Sequence, residues 1–391
     1  MANTLTNLIP DVYAALDVVS RELVGLIPSV ARNATADRVA AGQTLRVFQT
    51  PANSAGEDIS PGMALPAAAD QTITNKTLTI DKFRTWPFSW SGEEQYAMNT
   101  GPGYLNIRQD QIAQCFRTAI NEIELSGVVK LKAGASRAYG TANTIPFTTN
   151  TGEAAQMKKI LDDNGAPLTG RSMVIDTTTG AQLRTLTQLT KANEAGTTMT
   201  LRDGEILNLS GFSIKESAQV ASATIGTASG ATSTSAAFTV GQTVIPLATA
   251  GTGLIVAGDV ITFANDTNKY VVASATIAGS NPATGDQIVL AAPGLRKAQG
   301  AATRAITVIG TSTLLTANLA FTQNAFCYGF RLPTVPAEGD LAIAREIVQD
   351  PRSGIAFELA VYPGHRMNRY ELSCAYGSTL VKPEHAALLV Y

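Results

Sequence analysis

Side chains able to do chemistry are scarce in this chain. Its 391 residues include only two histidines, His365 and His385, too few for a zinc site built on several imidazoles and a thin basis for any triad. His365 sits in YPGHRMNRYE beside Arg366 and Arg369, a basic turn that either touches phosphate or is an ordinary surface turn. The acid pairs Glu93–Glu94 and Asp162–Asp163 are sequence neighbours, and neighbours on a helix do not face each other, so neither makes a general acid/base pair. Asp259 and Asp266 in AGDVITFANDTNKY lack the acidic density of a calcium loop and suit β-turns better. Cys115, Cys327 and Cys374 are far apart and odd in number, which fits small buried hydrophobes in a reducing cytoplasm. No phosphate-binding glycine loop, HExxH or GxSxG is present. The expectation is no catalytic residue, no metal ligand and no cofactor, hence not an enzyme.

Length and composition set the frame. The chain is long enough for two or three domains, 45% hydrophobic and 15% charged, so it is expected to be globular. A net charge of −2 gives no basic field for strong nucleic-acid binding. No apolar run approaches the roughly 18 residues of a membrane span. The N-terminus lacks a basic region followed by a contiguous apolar one, so the protein is expected to be soluble and made in the cytoplasm.

The central element is read from residues 105–132, LNIRQDQIAQCFRTAINEIELSGVVKLK. Ile112, Phe116, Ala119 and Ile123 share one helical face, and Arg108, Asp110, Gln114, Arg117, Thr118, Asn121 and Glu122 lie opposite. That predicts an amphipathic helix about 40 Å long, a strut across a whole domain. Before it, residues 11–30 place Val12, Leu16, Val19, Leu23, Leu26 and Val30 at helical spacing, with Asp11 as N-cap and Gly25 and Pro28 weakening the end. Residues 31–48 are extended. Residues 49–70 have no period and are divided by Pro51, Pro61 and Pro66, whereas 71–90 alternate Ile73, Leu78, Ile80, Phe83 and Trp86 with polar residues. Loop and returning strand predict a long two-stranded arm, which needs a surface to lie on. Ser91 followed by Glu93 and Glu94 predicts a capped helix start.

From Gly152 the pattern turns α/β. A short helix carries Ala155, Met157, Ile160 and Leu161 inward, with Gly165 past its end. A buried strand at 171–177 follows, then a helix AQLRTLTQL, then strand and turn around Ile206, Leu209, Phe212 and Ile214. Residues 221–304 are rich in Ala, Thr, Ser, Gly and Val, with strands predicted at 236–249, 259–264, 269–277 and 286–292. Their core is expected from Phe238, Val244, Ile245, Val260, Ile261, Phe263, Tyr270, Val271, Ile288 and Leu290, as a self-contained small β-barrel or sandwich. Helix-bearing α/β sequence is expected to resume at STLLTANLAFTQNAFCYGFRLP, before a strand pair turning at 350–354.

In this order the elements resemble the major capsid proteins of tailed double-stranded DNA bacteriophages, in particular the coat proteins of the short-tailed Salmonella phage type. MANTLTNLIPDVYAALDVVSRELVGLIPSV is similar to that family's arm helix, and NAFCYGFRLP, SGIAFELAVYPG and CAYGSTLVKPEHAALLV to its usual ending. LIVAGDVITFANDTNKYVV resembles a Gly-Asp strand motif of the inserted barrel. The resemblance implies an α+β tailed-phage capsid fold. Its parts would be an N-terminal arm over 1–48, an extended β-loop over 49–90, and a spine helix with peripheral domain over 91–151. An axial domain with peripheral return over 152–220 and 305–391 would be interrupted by an inserted β-barrel domain over 221–304.

It further implies a structural coat protein that self-assembles into hexamers and pentamers of an icosahedral virion shell in the host bacterial cytoplasm. The implied partners are a scaffolding protein, a portal protein and packaged double-stranded DNA held non-specifically, with no membrane. A long charged helical N-terminal region is missing, so the scaffold is expected to be a separate protein, and nothing supports a lysine–asparagine cross-link. The residues expected to touch neighbouring subunits are Leu16 and Leu23 of the arm and Glu57, Asp58, Met63, Leu65, Lys76, Phe83 and Trp86 of the loop. An encapsulin-like compartment shell of the same fold is the alternative, opposed by the insertion. A secreted adhesin is opposed by the long amphipathic helices and the absent signal peptide.

Overall fold

The computed structural model describes residues 24–49, 74–98, 103–191, 208–310, 314–349 and 354–391. The described chain opens with a 3-10 turn at Ile27–Ser29, with Leu26 and Ile27 fully buried. The helix expected over 11–30 does not reach its end. Pro28 stands in the turn and Val30 is extended, so the chain passes directly into β1 (Ala31–Val39). The earlier part of that helix, with residues 1–23, lies outside the described residues.

Strands β2 (Thr44–Gln49) and β3 (Thr74–Thr79) pair antiparallel as a sheet of their own. The single strand expected over 71–90 is two: it breaks at Ile80 and Asp81, and β4 (Lys82–Ser91) turns into a larger sheet. Helix α1 (Gly92–Met98) has the expected capping box. The Glu94 N–H donates to Ser91 Oγ at 3.2 Å, and Glu94 Oε2 accepts from the Ser91 N–H at 2.8 Å. Helix α2 (Gly103–Gly134) is the strut, 32 residues long and therefore about 48 Å. Of its expected apolar face, Ala119 and Ile123 are fully buried and Ile112 and Phe116 half-buried.

Then come β5 (Arg137–Gly140), α3 (Gly152–Asp163), β6 (Arg171–Ile175), α4 (Thr177–Thr185), α5 (Thr187–Thr190), β7 (Asn208–Leu209) and β8 (Phe212–Glu216). The buried face of α3 is Ala154, Met157, Ile160 and Leu161. Ala155, expected inside, is exposed, because two residues before Met157 is the other side of a helix. Asp176 caps α4 by accepting from the Thr178 and Thr179 N–H groups at 2.9 and 3.3 Å.

The insertion supplies β9 (Ala223–Thr224), β10 (Val244–Pro246), β11 (Val260–Phe263), β12 (Lys269–Thr276), β13 (Gln287–Leu290) and, just after it, β14 (Ile306–Val308). The strand expected at 236–249 shrinks to Val244–Pro246. Within it, alternation turns Ile245 inward and leaves Val244 exposed, so Val244 is not a core residue. The other nine expected core side chains are buried. The helix-bearing sequence expected next is strand instead: β15 (Leu314–Leu315), β16 (Ala317–Thr322), β17 (Phe326–Pro333), β18 (Ala344–Gln349), β19 (Ala356–Gly364), β20 (Met367–Leu380) and β21 (Ala386–Val390). Among the described residues from 314 on, the helical turns are the short 3-10 turns at Gln323–Ala325 and Pro383–His385. ANLAFT is buried at every position, and a short continuous apolar run does not reveal by periodicity whether it is strand or helix.

Two sheets organise this α+β chain. The six-stranded sheet runs β1-β17-β20-β19-β18, and β4 pairs along β20. The eleven-stranded sheet runs β10-β13-β12-β5-β21-β16-β6-β8-β7, with β11 joined to β12 and β14. Helix α2 packs on both, and its approach to β17 is so close that a Cβ on Gly127 would stand 1.6 Å from the Tyr328 hydroxyl. That hydroxyl donates to the Ile123 carbonyl at 3.2 Å. The insertion is not closed on itself. β12 pairs with β5 at Lys269↔Ala138 and Tyr270↔Arg137, and one hydrophobic core runs from Ile123 and Leu131 of α2 to Ile261 and Val271. Its two ends meet where β9 pairs with β15.

Candidate assembly surface

Most of the acids that might have done chemistry serve arginines, helix caps and turns instead. Asp162 Oδ1 lies 2.7 Å from Arg171 Nη2, and Asp163 Oδ2 lies 3.3 Å from Arg137 Nη2, so the adjacent pair serves two different arginines. Glu94 closes the capping box while Glu93 is exposed. Asp259 is buried and accepts from the Gly226 and Val256 N–H groups at 2.9 and 2.8 Å. Burial pushes its carboxyl above the usual range, against those two hydrogen bonds and the charge of Lys132. Asp266 accepts from the Asn268 N–H at 3.0 Å and the Tyr270 hydroxyl at 2.8 Å. Both aspartates bracket turns.

His365 lies in the tight turn from Gly364 to Met367, where Arg366 is left-handed at φ 59°. Arg369 pairs with Glu371. His385 sits in the 3-10 turn before β21, where burial lowers its pKa. Cys374 is buried and its thiol is pushed up to about 12; burial also raises the half-buried Cys115 and Cys327. Among the described residues no group of three or more His, Cys, Asp or Glu is placed to hold a metal ion. No helix among them is long and apolar enough to cross a membrane.

The expected contact residues divide sharply. Leu16, Leu23, Glu57, Asp58, Met63 and Leu65 lie outside the described residues. Lys76 is exposed on β3, opposite Val47. Phe83 is half-buried against the small cluster of Val39, Leu78, Ile80 and Ala375 at the root of the ribbon. Trp86 is buried. Its indole Nε1 donates to Glu122 Oε2 at 3.0 Å and its ring meets Phe357 edge-on, with centroids 6.4 Å apart. The Trp86 side chain is therefore committed to its own chain's core and has no face left for a neighbour. Of these three, only Lys76 offers an exposed side chain.

An apolar edge was missed. β18 ends the six-stranded sheet, and beside it Leu341, Ile343 and Ile347 are 79%, 68% and 53% exposed. A charged cluster adjoins this edge. Arg345 Nη1 donates to the buried Glu358 Oε1 at 2.8 Å, its Nη2 pairs with Asp340, and the Tyr362 hydroxyl donates to Asp340 Oδ2 at 3.0 Å. Arg38 of β1 reaches Glu358 from the other side. The sequence DLAIAREIV carries the strand alternation, but nothing in it says that this strand would finish a sheet with apolar residues outward.

No protein-family model matches the chain, and no curated protein matches it in sequence. Likeness comes from solved structures. A structure of Mycobacterium phage Che8 is similar with a TM-score of 0.50 and 13% identity, over 99% of this chain and 98% of that one. The capsid structure of Cyanophage P-SCSP1u is similar at 0.49 and 13% identity, over 100% and 96%. The mature capsid asymmetric unit of bacteriophage PhiM1 is similar at 0.47 and 10% identity, over 92% and 84%. At such identities the likeness speaks to architecture alone. The chain has the fold of the tailed-phage capsid proteins.

Proposed function

We propose that this chain is the major capsid protein of a tailed double-stranded DNA phage, a structural protein without catalytic activity. The observation that carries the reading is the β2–β3 ribbon. It belongs to neither large sheet, and most of its described side chains are exposed. A two-stranded ribbon is marginal by itself in water, so a surface on another copy is the natural support. The strut α2 gives each copy a stiff axis about 48 Å long against which such contacts can be repeated.

In this reading copies form hexamers and pentamers of an icosahedral shell, assembled in the host cytoplasm with a separate scaffolding protein and a portal protein. Packaged DNA is enclosed without sequence-specific contact, in keeping with a net charge of −2. The coat-protein type of the short-tailed Salmonella phages and the domain division over 1–48, 49–90, 91–151, 152–220 with 305–391, and 221–304 belong to the same proposal. The pairing of β12 with β5 favours an insertion that braces its own subunit. Leu16, Leu23, Glu57, Asp58, Met63, Leu65, Lys76 and the half-buried Phe83 remain the proposed contact residues.

Deleting residues 55–68 tests the loop's role. A folded chain that no longer closes shells is expected; shells of normal size would refute it. The compartment-shell alternative is separated by mass spectrometry of purified particles, where a resident enzyme cargo would favour it over scaffold or DNA.

A further inference from the structure

An open cavity of about 370 Å³ lies where β6 and β8 meet the 3-10 turn at Ile27–Ser29. It is lined by Pro28 and Ser29 of the turn and by Ser172, Asn208, Ser213 and Lys215 of the sheet. Register explains why these side chains converge. β6 and β8 run parallel with Ser172 beside Ser213 and Val174 beside Lys215, and β7 returns antiparallel with Asn208 beside Ser213. Residues in register share a face, so Ser172, Ser213 and Asn208 form a row across three strands, and Lys215 stands two residues further along that face. The opposite face takes Met173 and Ile214 into the core shared with α3. Asn208 owes its place to a two-residue turn in which Ser210 and Gly211 are both left-handed, at φ 50° and 85°.

This row is uncommitted. Among the described residues no hydrogen bond or ion pair engages the side chains of Ser172, Asn208, Ser213 or Lys215, and no carboxylate among them lines the cavity. Arg171 also lines it, but its guanidinium serves the Pro167 and Ala166 carbonyls and Asp162. Glu124 of α2 acts on Lys215 only through its charge. Its buried carboxylate is engaged by the Gly25, Leu26 and Ile27 N–H groups and the Ser217 hydroxyl. Burial, and then the charge of Arg32, lower the pKa of Lys215 while Glu124 opposes them. An anion in the cavity would offset both.

We propose that this cavity binds a phosphate group, with Lys215 as its ion-pair partner and Ser172, Ser213 and Asn208 as hydrogen-bond donors. Lysine, serine and asparagine side chains are the usual partners of phosphate oxygens, and a tetrahedral oxyanion has enough acceptors for the whole row. The volume would hold on the order of ten waters, so the phosphate can be a free anion or one unit of a nucleic-acid backbone. The site does not depend on the capsid reading.

Calorimetric titration of the full-length chain tests it, with inorganic phosphate in one arm and a short oligothymidylate in the other. Ionic strength is held fixed so that screening is not read as binding. Saturable binding by at least one probe is expected. Lys215→Met should weaken it about 10-fold and Ser213→Ala about 3-fold, while Lys159→Met, on the exposed side of α3, should leave it unchanged. Saturation by phosphate alone makes the occupant a free anion; oligothymidylate binding weakened by the same substitutions makes it nucleic-acid backbone. No saturable binding by either probe, or binding that Lys215→Met leaves at wild-type strength, would overturn the assignment. If Lys215→Met fails to fold, Ser213→Ala decides in the same way.

Discussion

The β2–β3 ribbon and the 221–304 insertion are both long excursions of the chain, and the fold treats them oppositely. The insertion is knitted back: β12 pairs with β5, Arg296 Nη1 donates to the Asp163 carbonyl at 3.4 Å, and its side chains join the core of α2. Among its described residues the ribbon is packed at its root, at Leu45, Leu78 and Ile80, and beyond that presents Arg46 and Lys76 to solvent. An excursion with its own buried surface braces its subunit, whereas one left exposed is free to support, and be supported by, something else.

The largest expected effect is on the knitted side. Tyr270 is fully buried, its hydroxyl donating to Asp266 and accepting from the Arg296 N–H at 3.1 Å. Tyr270→Ala should destabilise the fold by about 3–5 kcal/mol. Because the core is shared, calorimetry should show the whole transition moving to lower temperature. A separate early transition with the remainder unmoved would make the insertion an independent unit and break the comparison.

The next pair of variants sharpens the contrast along the ribbon and the strand that follows it. Trp86→Ala removes a buried ring and leaves Glu122 without its indole donor, so the chain should lose about 3 kcal/mol or more. Lys76→Ala should stay within about 0.5 kcal/mol of wild type and lower particle yield instead. Thermal melts alongside particle counts separate the two, and equal destabilisation would mean that the ribbon is packed within its own chain.

A smaller effect is expected from acid. His385 precedes β21, and burial lowers its folded pKa below the ordinary 6.5, with Glu384 opposing and Lys382 and Arg171 reinforcing the shift. Protonation therefore favours the unfolded chain. Stability associated with the neutral ring is present above pH 6.5 and is lost as pH falls below it toward the folded value. The melting temperature of His385→Gln should fall less between pH 7 and pH 5 than that of wild type (~2 pH units across the His range), and parallel profiles would contradict this. The smallest effect concerns thiols: Cys374, with its pKa at about 12, should resist labelling until the chain unfolds, while Cys115 and Cys327 react first.

Much of the fold was legible where local chemistry decides it. The α2 strut followed from four apolar positions, the α1 start from Ser91 and Glu94, and the core of the insertion from nine of ten named residues. What escaped depends on distant partners. Whether ANLAFT is strand or helix is settled by β6 and β21 on its two sides, and no local period reports them. Trp86 read as an outward loop residue because its partners, Glu122 and Phe357, lie 36 and 271 positions away. Glu124 looked like one polar residue among several in the strut, since a carboxylate that serves backbone N–H groups has no counter-ion to advertise it. The exposed edge at Leu341, Ile343 and Ile347 was likewise invisible, since strand order is a property of the whole sheet.

The central claim is that copies of this chain build a shell. Electron microscopy of the protein expressed alone and with its candidate scaffolding partner tests it most directly. The account predicts closed shells with the scaffold, and shells or aberrant spirals without it. A persistent monomer under both conditions would contradict it.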